Sequence, residues 1–473
     1  MIGRQLAVNA ARFPRREALV FGARRLTYAM LDARACRVAN ALVAQGIGRG
    51  DRVAAVAHNC NALLEILFAT AKIGAVFAPL NFRLVERELN ALLDGCTPRI
   101  LFVGDGVAAG DAIRARAGPE VQLIALPDSP PTESSEGDDS QYERWLAAHP
   151  AEDPNVEVAL DDLHMLLHSS GTTGVPKGAM FAHATTWFSS MAKILDFGFT
   201  RDDVTAVFGP LFHAGPLMDL ALPLLLRGGR AVIGASRQFD PERLLQTIEA
   251  ERATAIPIYP TMLRRVVALP DLDRFDLSSL RLIITGGEAA PIPVIRAVHD
   301  RLPGVAFVNN YGSTEGGPVT TFLAPCDSLR KIGSVGQPSY GVEIRIADPE
   351  GRDLPPGTTG EVLVRSPFVC RGYWQRPEAT AASMVGGWWH TGDLGWRDAE
   401  GDLWINGRSK DMIKSGGENI YPVEVEQVIA GLEGVIEAAV IGVPDDEWGE
   451  SVAAFVVKAE ESTLDPASVI EHC

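Results

Sequence analysis

Apolar residues Leu31, Ala35, Val38 and Leu42 recur at the three-to-four-residue spacing of a helix, and Gly46 supplies a stop behind them. Residues 52–57 read as a short strand. A second helical stripe, Leu64, Leu67, Phe68 and Ala71, ends at Gly74 before the strand-like run 75–80. The alternation returns at Asp240, an N-cap residue with Pro241 in the first turn, ahead of a helix over 242–251. Strand 255–260, a helix around Leu263, strand 280–287, a helix around Ile295 and strand 305–310 follow. Strands alternating with helices of this length predict an α/β protein whose parallel sheets are covered by helices.

The stretch 127–155 is rich in Pro, Ser, Asp and Glu and reads as a solvated connection. After Gly360 the texture changes to short strands and turns. From Asp411 a compact α+β unit follows, with a helix over 423–430 and strands near 438–443 and 452–457. The pattern therefore predicts a large N-terminal domain of helix-covered sheets (1–406), a hinge (407–411) and a small mobile C-terminal lid (412–473). No internal repeat is found.

Composition changes this picture little. Hydrophobic residues make up 47% and charged residues 22%, the balance of a globular protein. A net charge of −17 argues against nucleic acid as a partner, because phosphate-backbone binding needs a concentrated basic surface. The six cysteines show neither zinc-site nor disulfide spacing, which points to a reducing compartment. The most apolar stretch, 217–226, is interrupted by Asp219 and Pro223 and is too short for a membrane span. A cytoplasmic protein is expected, and a homodimer is compatible with this reading.

Chemistry concentrates first in SSGTTGVPKG, residues 169–178, directly after the apolar run MLLH. Glycines, hydroxyl residues and one lysine can offer backbone N–H groups, hydroxyls and an ammonium to a polyphosphate. A Walker A loop requires its lysine after the second glycine of G-x-x-x-x-G and before Ser or Thr. Here Lys177 precedes Gly178 and Ala179, so that loop is excluded.

With this motif the chain resembles the adenylate-forming superfamily, and the resemblance continues in order. It runs through FHAG (212–215), GGEAAP (286–291), NNYGSTEGG (309–317), GEVLVRSP (360–367), WWHTGDLG (388–395) and GRSKDMIKSGGENIYPVEVE (407–426). The wording is closest to acyl-CoA synthetases and 4-coumarate-type ligases. The first 150 residues fit by texture more than by motif.

The resemblance implies ATP, Mg²⁺ and coenzyme A as ligands beside a carboxylic acid. It implies that Ser169, Ser170, Gly171, Thr172, Thr173, Gly174 and Lys177 wrap the phosphates. Gly287, Glu288 and Ala289 would wall the adenine on one side and Tyr311 on the other, with Asn310 at the base edge and Gly312 in the turn beyond. Thr314 would touch the α-phosphate and Glu315 would hold the metal. Asp393 would take the ribose diol, whose two hydroxyls suit the two acceptor oxygens of one carboxylate. Arg408 would touch the nucleotide as well, and Lys410 marks the hinge.

His213 occupies a gating position between acid and thiol, though a packed core histidine explains it equally. The acid pocket is expected near His213, Gly215, Tyr259 and Gly286, with Leu217 and Met218 as small or apolar lining for a fatty or aryl acid. Asp219 would face a polar substituent or cap a helix. Ser415, Gly416 and Gly417 leave room for a pantetheine arm. Trp448 would stack on the CoA adenine or pack within the lid.

The implied activity is acid activation to acyl-AMP with release of pyrophosphate, then transfer to CoA. A peptide-synthetase adenylation enzyme, a luciferase-type oxygenase and a non-catalytic nucleotide binder share these motifs. The resemblance also implies a C-terminal lysine in a P-x-x-x-x-G-K-like segment. The sequence reaches Cys473 within a helix-like run that begins near Pro466, Lys458 lies in a strand pattern, and a natural tail carrying that segment is expected.

Overall fold

The computed structural model describes residues 1–116, 121–132, 140–169, 176–460 and 462–473. Two sheets form the frame of the large domain. One has nine strands, in the order Gln337–Pro338, Gly317–Phe322, Ala306–Ser313, Leu282–Thr285, Ala255–Pro257, Val204–Val207, Arg230–Ile233, Glu17–Phe21 and Arg24–Thr27. From Ala306–Ser313 to Glu17–Phe21 the neighbours run parallel, and antiparallel pairs close both edges. The other sheet has six strands, centred on Arg52–Val56 and Val76–Leu80. The expected α/β class holds.

Between these sheets lies helix Asn61–Ile73, and its burial departs from the one-sided stripe in the sequence. Every residue from Asn61 to Ile73 is buried, including Glu65 and Lys72. Both charges are compensated inside: Glu65 accepts from Arg34, Asn61 and Tyr142, and Lys72 lies 2.9 Å from both Asp32 and Asp153. Buried charges persist only with such partners. Gly74 ends the helix at φ +71°, as a left-handed C-cap requires.

The stretch 127–155 is a second departure. It contains helix Gln141–Ala147, whose N-cap Ser140 accepts from the Glu143 N–H. Tyr142 and Leu146, one turn apart, are driven into the core, while Glu143 pairs with Arg24 and Arg34. Composition masked this short amphipathic turn. Asp128, in the same stretch, is buried against His58.

Elsewhere the elements match with moved ends. Asp240 caps helix Pro241–Glu251 as expected. The predicted strand 255–260 stops at Pro257 because Pro260 opens the next helix, Pro260–Val267.

A smaller sheet holds Glu343–Ala347, Gly360–Arg365, Trp388–Arg397 and Met384–Val385, with Leu403–Arg408 paired to Trp388–Arg397. The C-terminal domain is a four-stranded antiparallel sheet, Glu418–Ile420, Ile413–Ser415, Gly449–Lys458 and Val435–Asp445, packed against helix Pro422–Ala430. Its hairpin turn is Gly416–Gly417, at φ +58° and +89°. A two-residue hairpin needs positive φ at both positions, so these glycines have a local cause as well as the expected one. Among the described residues no helix is long and apolar enough to cross a membrane.

Candidate active site

Parallel strands direct their C-terminal ends to one edge of the sheet, where loops can gather groups from several strands. The nine-stranded sheet does this. Val204–Val207 leads to Phe208 and Gly209, Ala255–Pro257 to Ile258 and Tyr259, and Leu282–Thr285 to Gly286 and Gly287. Asn310 and Gly312 lie at the end of Ala306–Ser313. All of them line one cavity of about 630 Å³.

Thirteen residues singled out in the sequence meet there: Ser169, His213, Gly215, Asp219, Tyr259, Gly286, Gly287, Glu288, Asn310, Gly312, Thr314, Glu315 and Arg408. They come from the six-stranded sheet, the nine-stranded sheet and strand Leu403–Arg408. Ser170, Gly171, Thr172, Thr173 and Gly174 lie outside the described residues.

Two close approaches fix this side of the cavity. A Cβ on Gly286 would stand 2.6 Å from Asn310 Oδ1, so only glycine lets that amide sit flat against the backbone. The Asn310 amide then donates to the Thr285 carbonyl at 2.9 Å. A Cβ on Gly312 would meet the Gly317 carbonyl at 2.4 Å, which is how the strand folds back sharply enough to present Thr314 and Glu315.

Glu315 is buried but lines the cavity, and Tyr373 donates its hydroxyl to Oε1 at 2.9 Å. The Lys177 ammonium lies 5.0 Å from the Tyr373 ring centroid, so Lys177 and Glu315 share one tyrosine. Sequence reading missed Tyr373, which sits outside every motif.

Asp393 does not line the cavity itself. Tyr311 donates its hydroxyl to Oδ2 at 2.6 Å, and Arg408 Nε lies 3.2 Å from Oδ1. Burial raises the Asp393 carboxyl, with Tyr311 and Arg408 pulling it down. The three residues thus form one chain, of which Arg408 reaches the cavity.

His213 stacks obliquely on Phe212, ring centroids 4.3 Å apart. Burial, assisted by the Arg83 charge, lowers it to about 4, so it is neutral at physiological pH. Arg83 and His168, two cavity residues outside the motifs, were also missed.

Two expectations about the acid pocket need correction. Leu217 and Met218 belong to the core between the sheets and do not line the cavity. The segment Gly215–Ala221 is a π-helix with Asp219 buried inside it, so Asp219 caps no helix, and the wider turn brings it to the cavity as the other reading expected. Phe208, Phe239 and Met262 provide the apolar lining instead.

Ala289, Lys410, Ser415, Gly416, Gly417 and Trp448 lie away from the cavity lining. Lys410 is exposed, 3.8 Å from the Asp411 carboxylate. Trp448 covers Gly416 so closely that a Cβ there would lie 2.5 Å from the indole, yet 53% of the tryptophan remains exposed. Lys458 ends its strand as expected and donates to the Leu464 carbonyl at 2.9 Å.

Comparison with known proteins identifies the family. The AMP-binding enzyme family matches residues 6–374, and the AMP-binding enzyme C-terminal domain matches 424–473. A feruloyl-CoA synthase from Amycolatopsis sp is 41% identical, over 96% of this chain and 87% of that protein. An indoleacetate–CoA ligase from Aromatoleum aromaticum is 40% identical, over 97% of this chain and 88% of that protein. The crystal structure of the anthranilate CoA ligase AuaEII with anthranoyl-AMP superposes with a TM-score of 0.91 at 28% identity, covering 100% of this chain and 90% of that one. The chain belongs to the AMP-binding enzyme family, in its acyl-CoA synthetase branch.

Proposed function

We propose that this ATP-dependent, AMP-forming acid–CoA ligase acts on an aromatic carboxylic acid, in two half-reactions at the one cavity. The observation that carries the reading is the cavity itself. It joins the phosphate-side residues Ser169, Thr314 and Glu315 to an apolar side built from Phe208, Phe239 and Met262. Relatives that act on ferulate, indoleacetate and anthranilate support an aryl acid.

A carboxylate is a poor acyl donor because oxide would have to leave. In the first half-reaction a carboxylate oxygen attacks the α-phosphorus of ATP, and the bond to pyrophosphate breaks. Thr314 contacts the α-phosphate, and Ser169 and Lys177 hold the phosphate chain with the rest of the loop 169–178. Such preorganised donors are the largest lever on phosphoryl transfer. Glu315 suits Mg²⁺, which is commonly held by one carboxylate together with substrate phosphates, and Mg²⁺ when bound neutralises phosphate charge. Tyr373 fixes the Glu315 side chain through its hydrogen bond. Asp393 holds the ribose diol, steadied by Tyr311 and Arg408. Gly287, Glu288 and Ala289 face the adenine.

In the second half-reaction the CoA sulfur attacks the acyl carbon, the acyl–oxygen bond breaks, and AMP leaves with both electrons of that bond. The thiol proton passes to solvent. Neutral His213 and Gly215 border the acyl group, so no charge on the imidazole competes with the nucleotide. The lid, 412–473, turns on the hinge 407–411 about Lys410. Gly407, at φ +134°, adds a position of unusual backbone freedom. The turn brings Ser415, Gly416, Gly417 and the exposed face of Trp448 to the CoA.

Thioester and pyrophosphate formation should be measured over benzoic, cinnamic, arylacetic and fatty acids. The reading expects ATP- and CoA-dependent thioester with at least one aryl acid. Thioester with fatty acids alone would overturn the aryl assignment.

A further inference from the structure

Asp219 is the one acidic residue in the apolar stretch 217–226, and the π-helix brings it to the cavity wall. Its side chain is 8% exposed. Lys193, from helix His183–Asp196 and also fully buried, lies 3.9 Å from Oδ1. That distance compensates charge but is too long for a hydrogen bond. Lys193 gives its hydrogen bond to Ser189 Oγ at 2.6 Å instead. Oδ1 is buried with no hydrogen-bond partner among the described residues.

A carboxylate in this condition is unusual, because buried polar groups are nearly always satisfied. Burial raises the Asp219 carboxyl and lowers the Lys193 ammonium, and the charge of each offsets part of the other's shift. A purely structural ion pair would close to hydrogen-bond distance. Oδ1 is turned to Lys193 and closed off, whereas Oδ2 lies on the Gly215 side, where a bound molecule in the cavity can reach it.

The neighbouring geometry indicates what kind of donor. A Cβ at Gly215 would lie 3.5 Å from Asp219 Oδ2 and 3.7 Å from Tyr259 Oη. The absence of a side chain there leaves a space flanked by a carboxylate oxygen and a phenol hydroxyl. A ligand hydroxyl fits this pair, since it can donate to Asp219 and accept from Tyr259. An amino or ring N–H group fits Asp219 alone.

We propose that Asp219, charge-balanced by Lys193 and flanked by Tyr259, selects acids that carry a hydrogen-bond donor on their organic part. A hydroxyl suits the site best. The assignment rests on the acid–CoA ligase reading above and names the substrate feature that this cavity recognises.

The test uses matched acids that differ only in the donor: cinnamic against 4-hydroxycinnamic, naphth-1-ylacetic against indole-3-acetic, octanoic against 8-hydroxyoctanoic. Thioester kcat/KM is measured for the native chain, for Asp219→Asn and for the double variant Lys193→Met/Asp219→Leu. A hydrogen bond to a charged group corresponds to a preference of roughly ten- to hundredfold. The native chain should favour the donor-bearing acid by that factor in the pair it uses best. The double variant should bring the ratio near one, with the loss falling on KM for the donor-bearing acid. Asp219→Asn, nearly isosteric, should narrow the ratio several-fold and keeps the test decisive if the double variant does not fold. Equal use of both members by the native chain, or an unchanged ratio in Asp219→Asn, would overturn the proposal. Absence of thioester from every acid would instead overturn the ligase reading, and the assignment with it.

Discussion

Asp393 stands opposite Arg408 on adjacent antiparallel strands, with the guanidinium Nε 3.2 Å from the carboxylate. Arg408 is two residues ahead of Lys410, so the ion pair ties strand Trp388–Arg397 to the end of Leu403–Arg408, where the chain leaves for the C-terminal domain. The same carboxylate takes the Tyr311 hydroxyl, which links the strand Ala306–Ser313 to this junction.

Replacing Asp393 with Ala should weaken ATP binding roughly tenfold or more, since hydrogen bonds to charged groups are worth about 1.5–3 kcal/mol. Equilibrium binding of ATP to the variant checks this. Unchanged affinity would remove Asp393 from the nucleotide site.

Lys410→Pro should separate the half-reactions. Proline fixes φ at its own position and restricts Ser409 before it, whose N–H donates to the Gly392 carbonyl at 2.9 Å. One lid orientation then becomes harder to reach than the other. Adenylate formation and acyl transfer from supplied acyl-AMP should change by different factors, and equal losses would make Lys410 merely structural.

Trp448→Ala should raise KM for CoA and leave KM for ATP nearly unchanged. The indole already packs on Gly416 while keeping half its surface exposed, so both uses are open to it. If the two KM values move together, the tryptophan serves packing.

Acid should destabilise the fold early. Burial lowers His168, His183 and His213 to about 4, whereas the unfolded chain takes these protons near 6.5. Their contribution is therefore complete above about pH 6.5 and is lost as pH falls toward about 4. Asp219, whose carboxyl burial raises, opposes this with a single proton. The urea midpoint should fall between pH 6.5 and 5, ahead of most carboxylates, and His183→Gln should flatten that slope. A midpoint that rises over this interval would contradict the assignment.

How much of this was legible in the sequence depended on the residue. Gly286, Gly312, Thr314 and Glu315 were readable because their turns demand glycine beside the chemistry, and the structure gathers them at strand ends. Asp240 and Gly74 announced helix ends by their own side-chain and backbone preferences. Tyr373 and His168 carried no local signal, since their value comes from strands far apart in the chain. Leu217 was misplaced and Asp219 left between two readings because a π-turn breaks the 3.6-residue period. Helix Asn61–Ile73 hid its full burial, because Glu65 and Lys72 look exposed until their distant partners are known.

The central claim, activation of the acid as an acyl-adenylate, is tested most directly by isotope transfer. An acid labelled with ¹⁸O in its carboxylate is turned over with ATP and CoA, and AMP is analysed by mass spectrometry. The attacking oxygen stays on phosphorus when the thiol displaces AMP, so each thioester formed should leave one carboxylate-derived oxygen in AMP. Label recovered in inorganic phosphate with ADP as product, or thioester formed with unlabelled AMP, would contradict the account.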